Sequence, residues 1–179
     1  MSTMKVLICQ EIKNLVWEVR ERPVPGDNEA LIKIKTVGIC GTDIHAWAGN
    51  QPFFSYPRVL GHEICGEIIE SGKNIHNFNI GQQVAVIPYI SCQQCPACKS
   101  GRTNCCEKIS VIGVHQDGGF SEYLSVPVAN ILPADGIDPQ AAALIEPIAI
   151  SAHAVRRAAI APSEQVLVVG AGPIGLGAA

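Results

Sequence analysis

The sequence has 179 residues, enough for one domain and the beginning of another. Its 47% hydrophobic and 16% charged content builds a core and excludes a disordered chain. A net charge of −3 without a basic run points away from nucleic acid and from anionic membrane surfaces, and no apolar stretch nears the roughly 20 residues of a bilayer span. Met1 to Lys5 shows no signal-peptide pattern, because Val6-Leu7-Ile8 is too short for an apolar export core. The expected location is therefore the cytoplasm. Eight cysteines in a reducing compartment are not expected to form disulfides, and five of them crowd into residues 92–106, as metal ligands do.

Strand signals fill the first half of the chain. Residues 5–10 are a short apolar run, and residues 14–20 alternate, with Leu15, Trp17 and Val19 on one face. Pro23, Pro25, Gly26 and Asp27 make the next turn, after which residues 29–37 alternate through Ala30, Ile32, Ile34 and Thr36. Residues 65–71, 83–88 and 120–127 predict further strands, the first two separated by Gly72 and Gly81. Many short strands with Gly and Pro punctuation predict a barrel-like all-β domain. The character changes near residue 138. Asp138-Pro139 opens an alanine-rich helical stretch, and Pro147 fits the first turn of a second helix with Ile148, Ala152, Val155 and Ala159 at helical spacing. Pro162-Ser163-Glu164 then leads into a buried-type strand over residues 165–169. The shift places a domain boundary around residues 145–160.

Cys92, Cys95, Cys98 and Cys106 follow a C-x2-C-x2-C-x7-C spacing on a loop that contains Pro96 and Gly101. Four thiolates close a tetrahedral zinc shell and leave no position for water or substrate, so this set predicts a structural zinc that staples a lobe. An iron–sulfur cluster is the alternative for such a thiolate set. Cys105 adjoins Cys106 and competes with it for the fourth position.

A second constellation is dispersed: Gly38-Ile39-Cys40-Gly41-Thr42-Asp43-Ile44-His45, then Gly61-His62-Glu63, then Glu146-Pro147. One thiolate, one imidazole and one carboxylate meet the need of a catalytic zinc, which keeps an open position. Spacing alone does not connect Cys40 to His62. Residues 165–169 run into Gly170-Ala171-Gly172-Pro173-Ile174-Gly175, a G-x-G-x-x-G after a strand signal. There the first glycine makes the turn, the second admits a pyrophosphate and the third lets helix and strand pack. Among the neighbours, Trp47, Phe53, Phe54 and Tyr56 read as core and Arg58 as exposed. Cys9 and Cys65 read as small buried hydrophobes, and His76, His115 and His153 carry no motif.

These blocks, with Gly118-Gly119-Phe120-Ser121-Glu122-Tyr123, occur in an order that resembles the zinc-containing medium-chain alcohol and polyol dehydrogenases. Glu146-Pro147 is similar to the sorbitol-type branch, and residues 47–57 resemble the bacterial hexonate dehydrogenases. The resemblance implies an α/β fold overall. A GroES-like β-barrel catalytic domain would span residues 1–150, with a structural-zinc lobe at 90–107, and the truncated start of a Rossmann nucleotide-binding domain would span 151–179. It implies that Cys40 and His62 bind the catalytic zinc directly and that Glu63 and Glu146 complete its shell, one of them through water. It selects Cys106 over Cys105 in the lobe. Asp43 would orient His62 by accepting its free N–H, Thr42 would bond the substrate hydroxyl, and His45 would finish a proton relay. Gly170, Gly172, Pro173, Ile174 and Gly175 would receive the cofactor, with NAD favoured over NADP.

The implied activity is hydride transfer from a secondary alcohol of a polyol or hexonate, with two zinc ions per chain and a homo-oligomer at full length. The acidic residue expected about 20 residues beyond the fingerprint is absent, so the chain is expected to be an N-terminal part that is inactive alone. The alternatives are a threonine-type dehydrogenase, which Glu146 opposes, and a non-catalytic zinc-stapled domain.

Overall fold

A computed structural model describes residues 2–179. In chain order the strands are β1 (Thr3–Glu11), β2 (Asn14–Glu21), β3 (Glu29–Gly38), β4 (Arg58–Val59), β5 (Glu63–Ser71), β6 (Gln83–Val86), β7 (Tyr89–Ile90), β8 (Ser110–Val111), β9 (Tyr123–Pro127) and β10 (Ile131–Pro133). The helices are α1 (Gly41–Ala48), α2 (Pro96–Lys99), α3 (Pro139–Ala143), α4 (Ile145–Ala158) and α5 (Pro173–Ala178). Among the described residues, no helix is long and apolar enough to cross a membrane.

The alternating segments become the long antiparallel strands. One sheet has the order β2-β1-β4 and a second the order β10-β6-β5-β3-β9. The link between them is the segment just before β9. Leu7 N–H donates to Phe120 O at 2.8 Å, Glu122 N–H to Lys5 O at 3.2 Å, and Ile34 N–H to Glu122 O at 3.0 Å. Residues 120–122 therefore stitch β1 to β3. The core lies on the five-stranded sheet, where Ala30, Ile32, Ile64, Ile68, Val84 and Val126 pack together. Cys9 and Cys65 are fully buried, as small hydrophobes should be.

Several elements differ from the sequence expectation. The apolar face of β2 points outward, with Trp17 70% exposed beside Leu15 and Val19. The opposite face packs instead, through Val16. Residues 165–169 are not a strand. They carry no regular secondary structure and pair with no strand, and Leu167 and Val169 are exposed. An apolar run becomes a central strand only when neighbours supply its backbone partners, and no strand beside it exists among the described residues. Helix α5 packs on α4 instead, where Ser151 Oγ donates to Ile174 O at 2.9 Å. Helix α4 fills most of the expected boundary region, residues 145–160.

Arg58 is not a free surface arginine. Its side chain is 17% exposed, and it bonds Asp117 at 3.3 Å and Ser55 Oγ at 3.2 Å. Trp47 and Phe53, read as core, are 38% and 69% exposed, whereas Phe54 and Tyr56 pack around Cys9, Ala46 and Leu60.

Candidate metal centres and cofactor loop

The turn after β3 sets the dispersed site. Cys40 stands at the N-cap of α1 with extended backbone (φ −82°, ψ 156°), and its N–H donates to Asp43 Oδ2 at 2.9 Å, which starts the helix. Gly49 stops it in the left-handed region at φ 78°. On the other side, Gly61 takes φ 90° and delivers His62 and Glu63 to the start of β5. β3 and β5 are in register there, with Gly38 opposite Glu63. A Cβ on Gly38 would overlap Glu63 Oε2 and lie 2.9 Å from the Glu63 Cβ, so the glycine makes room for the carboxylate.

The outcome is a group in which the Cys40 sulfur, a His62 ring nitrogen and a Glu63 oxygen all lie within 4.8 Å of one another. His62 and Glu63 are buried and Cys40 is half-buried. Asp43, 3% exposed, ties the two ligand-bearing segments together: Oδ2 holds Cys40 N–H, and Oδ1 accepts Gly61 N–H at 3.0 Å. His62 Nδ1 stands 3.7 Å from Asp43 Oδ1, longer than a hydrogen bond, and has no partner. The bond expected between them is therefore not made; the Asp43 oxygens accept the backbone N–H groups of Cys40 and Gly61 instead.

Glu146 sits in the first turn of α4, outside the three-residue group. Its Oε1 accepts the Tyr89 hydroxyl at 2.6 Å. Thr42 is half-buried on α1, and His45, three residues on, is exposed on the same side of the helix.

The electrostatics of this group suit a cation. Burial works against a charged His62, but Cys40, Asp43 and Glu146 outweigh it and raise its proton affinity above the ordinary value. Burial also pushes the Glu63 carboxyl up, against the pull of His62 and Cys40. Burial and the Glu146 carboxylate hold the Tyr89 hydroxyl protonated. Several acidic groups thus converge on one buried imidazole whose nitrogen lacks a partner. A thiolate, imidazole and carboxylate set fits zinc.

The four-cysteine lobe is local. β7 and β8 pair at its neck, and Cys95 caps α2 with Pro96 at the first helical position. The sulfurs of Cys92, Cys95, Cys98 and Cys106 lie within 4.8 Å of one another, while Cys105 is exposed and outside the group. Cys92 and Cys98 sulfurs are 4.0 Å apart. A tetrahedral zinc with Zn–S near 2.3 Å separates its sulfurs by roughly 3.8 Å, so the set fits that ion. Backbone N–H groups point at the sulfurs: Cys92 N–H to Cys106 at 3.3 Å, Cys95 N–H to Cys92 at 3.4 Å, and Lys108 N–H to Cys106 at 3.3 Å. Such donors, from Gln94 and Cys95, bring the Cys92 thiol down to about 6. Burial and the neighbouring thiols push Cys98 up to about 12.

In the glycine loop, Gly170 takes φ 107°, in the left-handed region. A Cβ on Gly175 would collide with the Gly170 carbonyl, so this glycine lets the helix approach the turn. Gly172 has no heavy atom within 4 Å of its Cβ position, so its face is open. Pro173 and Ile174 begin α5.

Sequence reasoning missed Tyr89 and Gly38. Tyr89 lies in no spacing motif. Gly38 was quoted as part of a block, and only the β3–β5 register shows why it is a glycine.

The family profile of the alcohol dehydrogenase GroES-like domain matches residues 26–136. L-galactonate-5-dehydrogenase of Escherichia coli (strain K12) is 88% identical over 179 residues, which is 100% of this chain and 53% of that protein. A short chain alcohol dehydrogenase of Escherichia coli CFT073, solved with NADH, superposes with a TM-score of 0.93 at 40% identity, over 99% of this chain and 52% of that one. A Sinorhizobium meliloti 1021 chain solved with NADP superposes with a TM-score of 0.93 at 36% identity, over 99% and 52%. The chain spans about half the length of the relatives it matches.

Proposed function

Because the chain belongs to the alcohol dehydrogenase GroES-like domain family, we propose that it holds two zinc ions and serves a nicotinamide-linked oxidation of a secondary alcohol on a polyol or sugar acid. One observation carries this reading: a three-donor group of mixed type, Cys40, His62 and Glu63, stands apart from a four-thiolate group. Four identical donors close a shell, whereas three mixed donors leave a position for substrate. A non-catalytic stapled domain needs only the lobe.

Cys40, His62 and Glu63 would hold a zinc ion, which when bound would supply Lewis acidity that lowers the pKa of an alcohol hydroxyl. Thr42 bonds the substrate hydroxyl and takes its proton onward, and the exposed His45 on the same helix side passes it towards solvent. Asp43 keeps the Cys40 and Gly61 segments in register, so that Cys40 and His62 stay aimed at one point. The open side of Gly172 and the close packing at Gly175 receive the cofactor, with Pro173 and Ile174 starting the helix behind it. We place the catalytic domain at residues 1–150, with its lobe at 90–107, and the nucleotide-binding segment at 151–179. The substrate reading is L-galactonate, oxidised at its C5 hydroxyl with NAD, by a homo-oligomer in the cytoplasm. The 88% identity to L-galactonate-5-dehydrogenase supports it.

Metal counting on the chain tests the reading first: two zinc ions are expected, and one would leave only the staple. His62→Ala is expected to release one ion and keep the other. In a protein of the relatives' full length carrying this sequence, the same change should abolish turnover. Thr42→Val should keep both ions and slow alcohol oxidation by about a hundredfold or more, because it removes a proton path and no ligand. Metal loss in Thr42→Val would refute the separation of relay from ligand. With that full-length protein, a preference for ethanol or threonine over hexonates would refute the substrate class.

A further inference from the structure

We propose that Tyr89 is a positioning residue that holds the Glu146 carboxylate away from the Cys40, His62 and Glu63 group, and so keeps that group a three-ligand site with an open position. This rests on the reading that the group holds a metal.

Tyr89 is fixed to an unusual degree for a residue in a two-residue strand. β7 pairs with β8, Tyr89 opposite Val111. The buried Asn130 donates from one nitrogen to Ile87 O at 2.9 Å and to Tyr89 O at 3.1 Å, clamping the backbone on both sides of Pro88. Ile112 N–H donates to Pro88 O at 2.9 Å from the other side. The phenol thus projects from a braced backbone. Its hydroxyl donates to Glu146 Oε1 at 2.6 Å, a short charge-assisted bond between residues 57 apart in sequence.

Glu146 is an acidic group beside the site: its helix α4 packs against β5, the strand that begins at Glu63, and the adjacent Ile145 packs on the cluster that contains Cys65. Yet its oxygens are outside the group of donors that stand within 4.8 Å of one another. A free carboxylate on the first turn of a helix, next to three ligands short of one, is a ready fourth ligand. Four protein ligands make a closed site, which has no place for an alcohol. The Tyr89 hydroxyl occupies the Glu146 oxygen and turns it aside.

The test uses cobalt(II) in place of zinc at this site, with the four-cysteine site loaded with zinc, and azide as a probe for an open position. In the unaltered chain, azide is expected to shift the visible cobalt absorption. Tyr89→Phe should lose that shift and bind cobalt about tenfold more tightly, the scale on which partners behind a ligand act. Tyr89→Phe combined with Glu146→Ala should regain the shift. Glu146→Ala alone should keep both the cobalt and the shift, a check that does not depend on how Tyr89→Phe folds. A Tyr89→Phe chain that still responds to azide, or a Glu146→Ala chain that loses cobalt, would overturn the proposal. Absence of cobalt from the second site in the unaltered chain would instead overturn the metal reading, and the role of Tyr89 with it.

Discussion

Cys95→Ser is expected to empty the four-cysteine lobe and unfold it locally, the largest loss any single side chain in this molecule should produce. The lobe has no aliphatic centre of its own. Its buried cluster is Cys95, Cys98 and Cys106, with Cys92, Ala97 and Ile109 packed against them. Its helical pieces are α2, of four residues, and a three-residue 3-10 turn at Thr103–Cys105, far too short to persist unaided. On the two-zinc reading proposed above, an ion holds the loop closed, and in small thiolate sites apparent zinc binding amounts to about 10–16 kcal/mol of folding energy at neutral pH. Cys95 stands at the N-cap position of α2 but its side chain makes no capping bond, so the expected loss is that of a metal ligand. A serine hydroxyl is close in size but a poor zinc donor, so the change removes the thiolate and little else. Metal analysis should fall from two ions to one, limited proteolysis should cut within residues 90–107, and the five-stranded sheet should survive. Unchanged zinc content together with unchanged melting would remove the structural-zinc assignment.

What the sequence made legible follows from how local each feature is. The four-cysteine set spans 15 positions, and a metal needs no other information to gather it. β1, β2 and β3 are long enough for alternation to show, and they appear within a residue or two of their predicted ends. β4, β7, β8 and β10 have two or three residues each, too few to carry a period. α1 hid inside a block read for its ligands, although Asp43 three residues after Cys40 and Gly49 beyond the last turn are a start and a stop. The face of β2 illustrates a different failure. Alternation shows that Leu15, Trp17 and Val19 share a side, but not whether that side finds a neighbour. The same holds for residues 165–169, whose apolar content reads as a buried strand while burial requires strands on both flanks.

The dispersed site was legible as a set of residue types, not as geometry. Cys40 and His62 meet because β3 and β5 pair in register and because Asp43 bonds the backbone at both ends. Nothing in the spacing encodes that. Tyr89 is the clearest case of what stays hidden. Its partner is 57 residues away, and the bond exists only because Asn130 and β8 place the ring.

Gly118→Ala is expected to cost about 3 kcal/mol or more, at the upper end of overpacking penalties, and to empty the three-donor site while sparing the lobe. Residues 118–120 run along residues 59–61. Gly118 N–H donates to Val59 O at 2.8 Å, Gly119 N–H to Gly61 O at 2.8 Å, and Phe120 N–H to Leu60 O at 2.9 Å. A Cβ on Gly118 would stand 2.7 Å from Leu60 O, 2.5 Å from Gly113 Cα, and closer still to Gly61 O. All three are backbone atoms, so no side chain can swing aside. Gly61 and Gly113 both hold positive φ, 90° and 79°, and neither can shift freely. The methyl can enter only by displacing residues 60–61, and the next two residues are His62 and Glu63. Gly41→Ala is the matched control. It too adds one methyl beside the site, but no heavy atom lies within 4 Å and its φ is not in the left-handed region. Its effect should be within about 1 kcal/mol of neutral, since restricting an unstrained glycine acts mainly on the unfolded chain. Denaturant midpoints and zinc per chain distinguish the two. If Gly118→Ala unfolds like Gly41→Ala and still binds two ions, the backbone stack behind His62 and Glu63 does not position them.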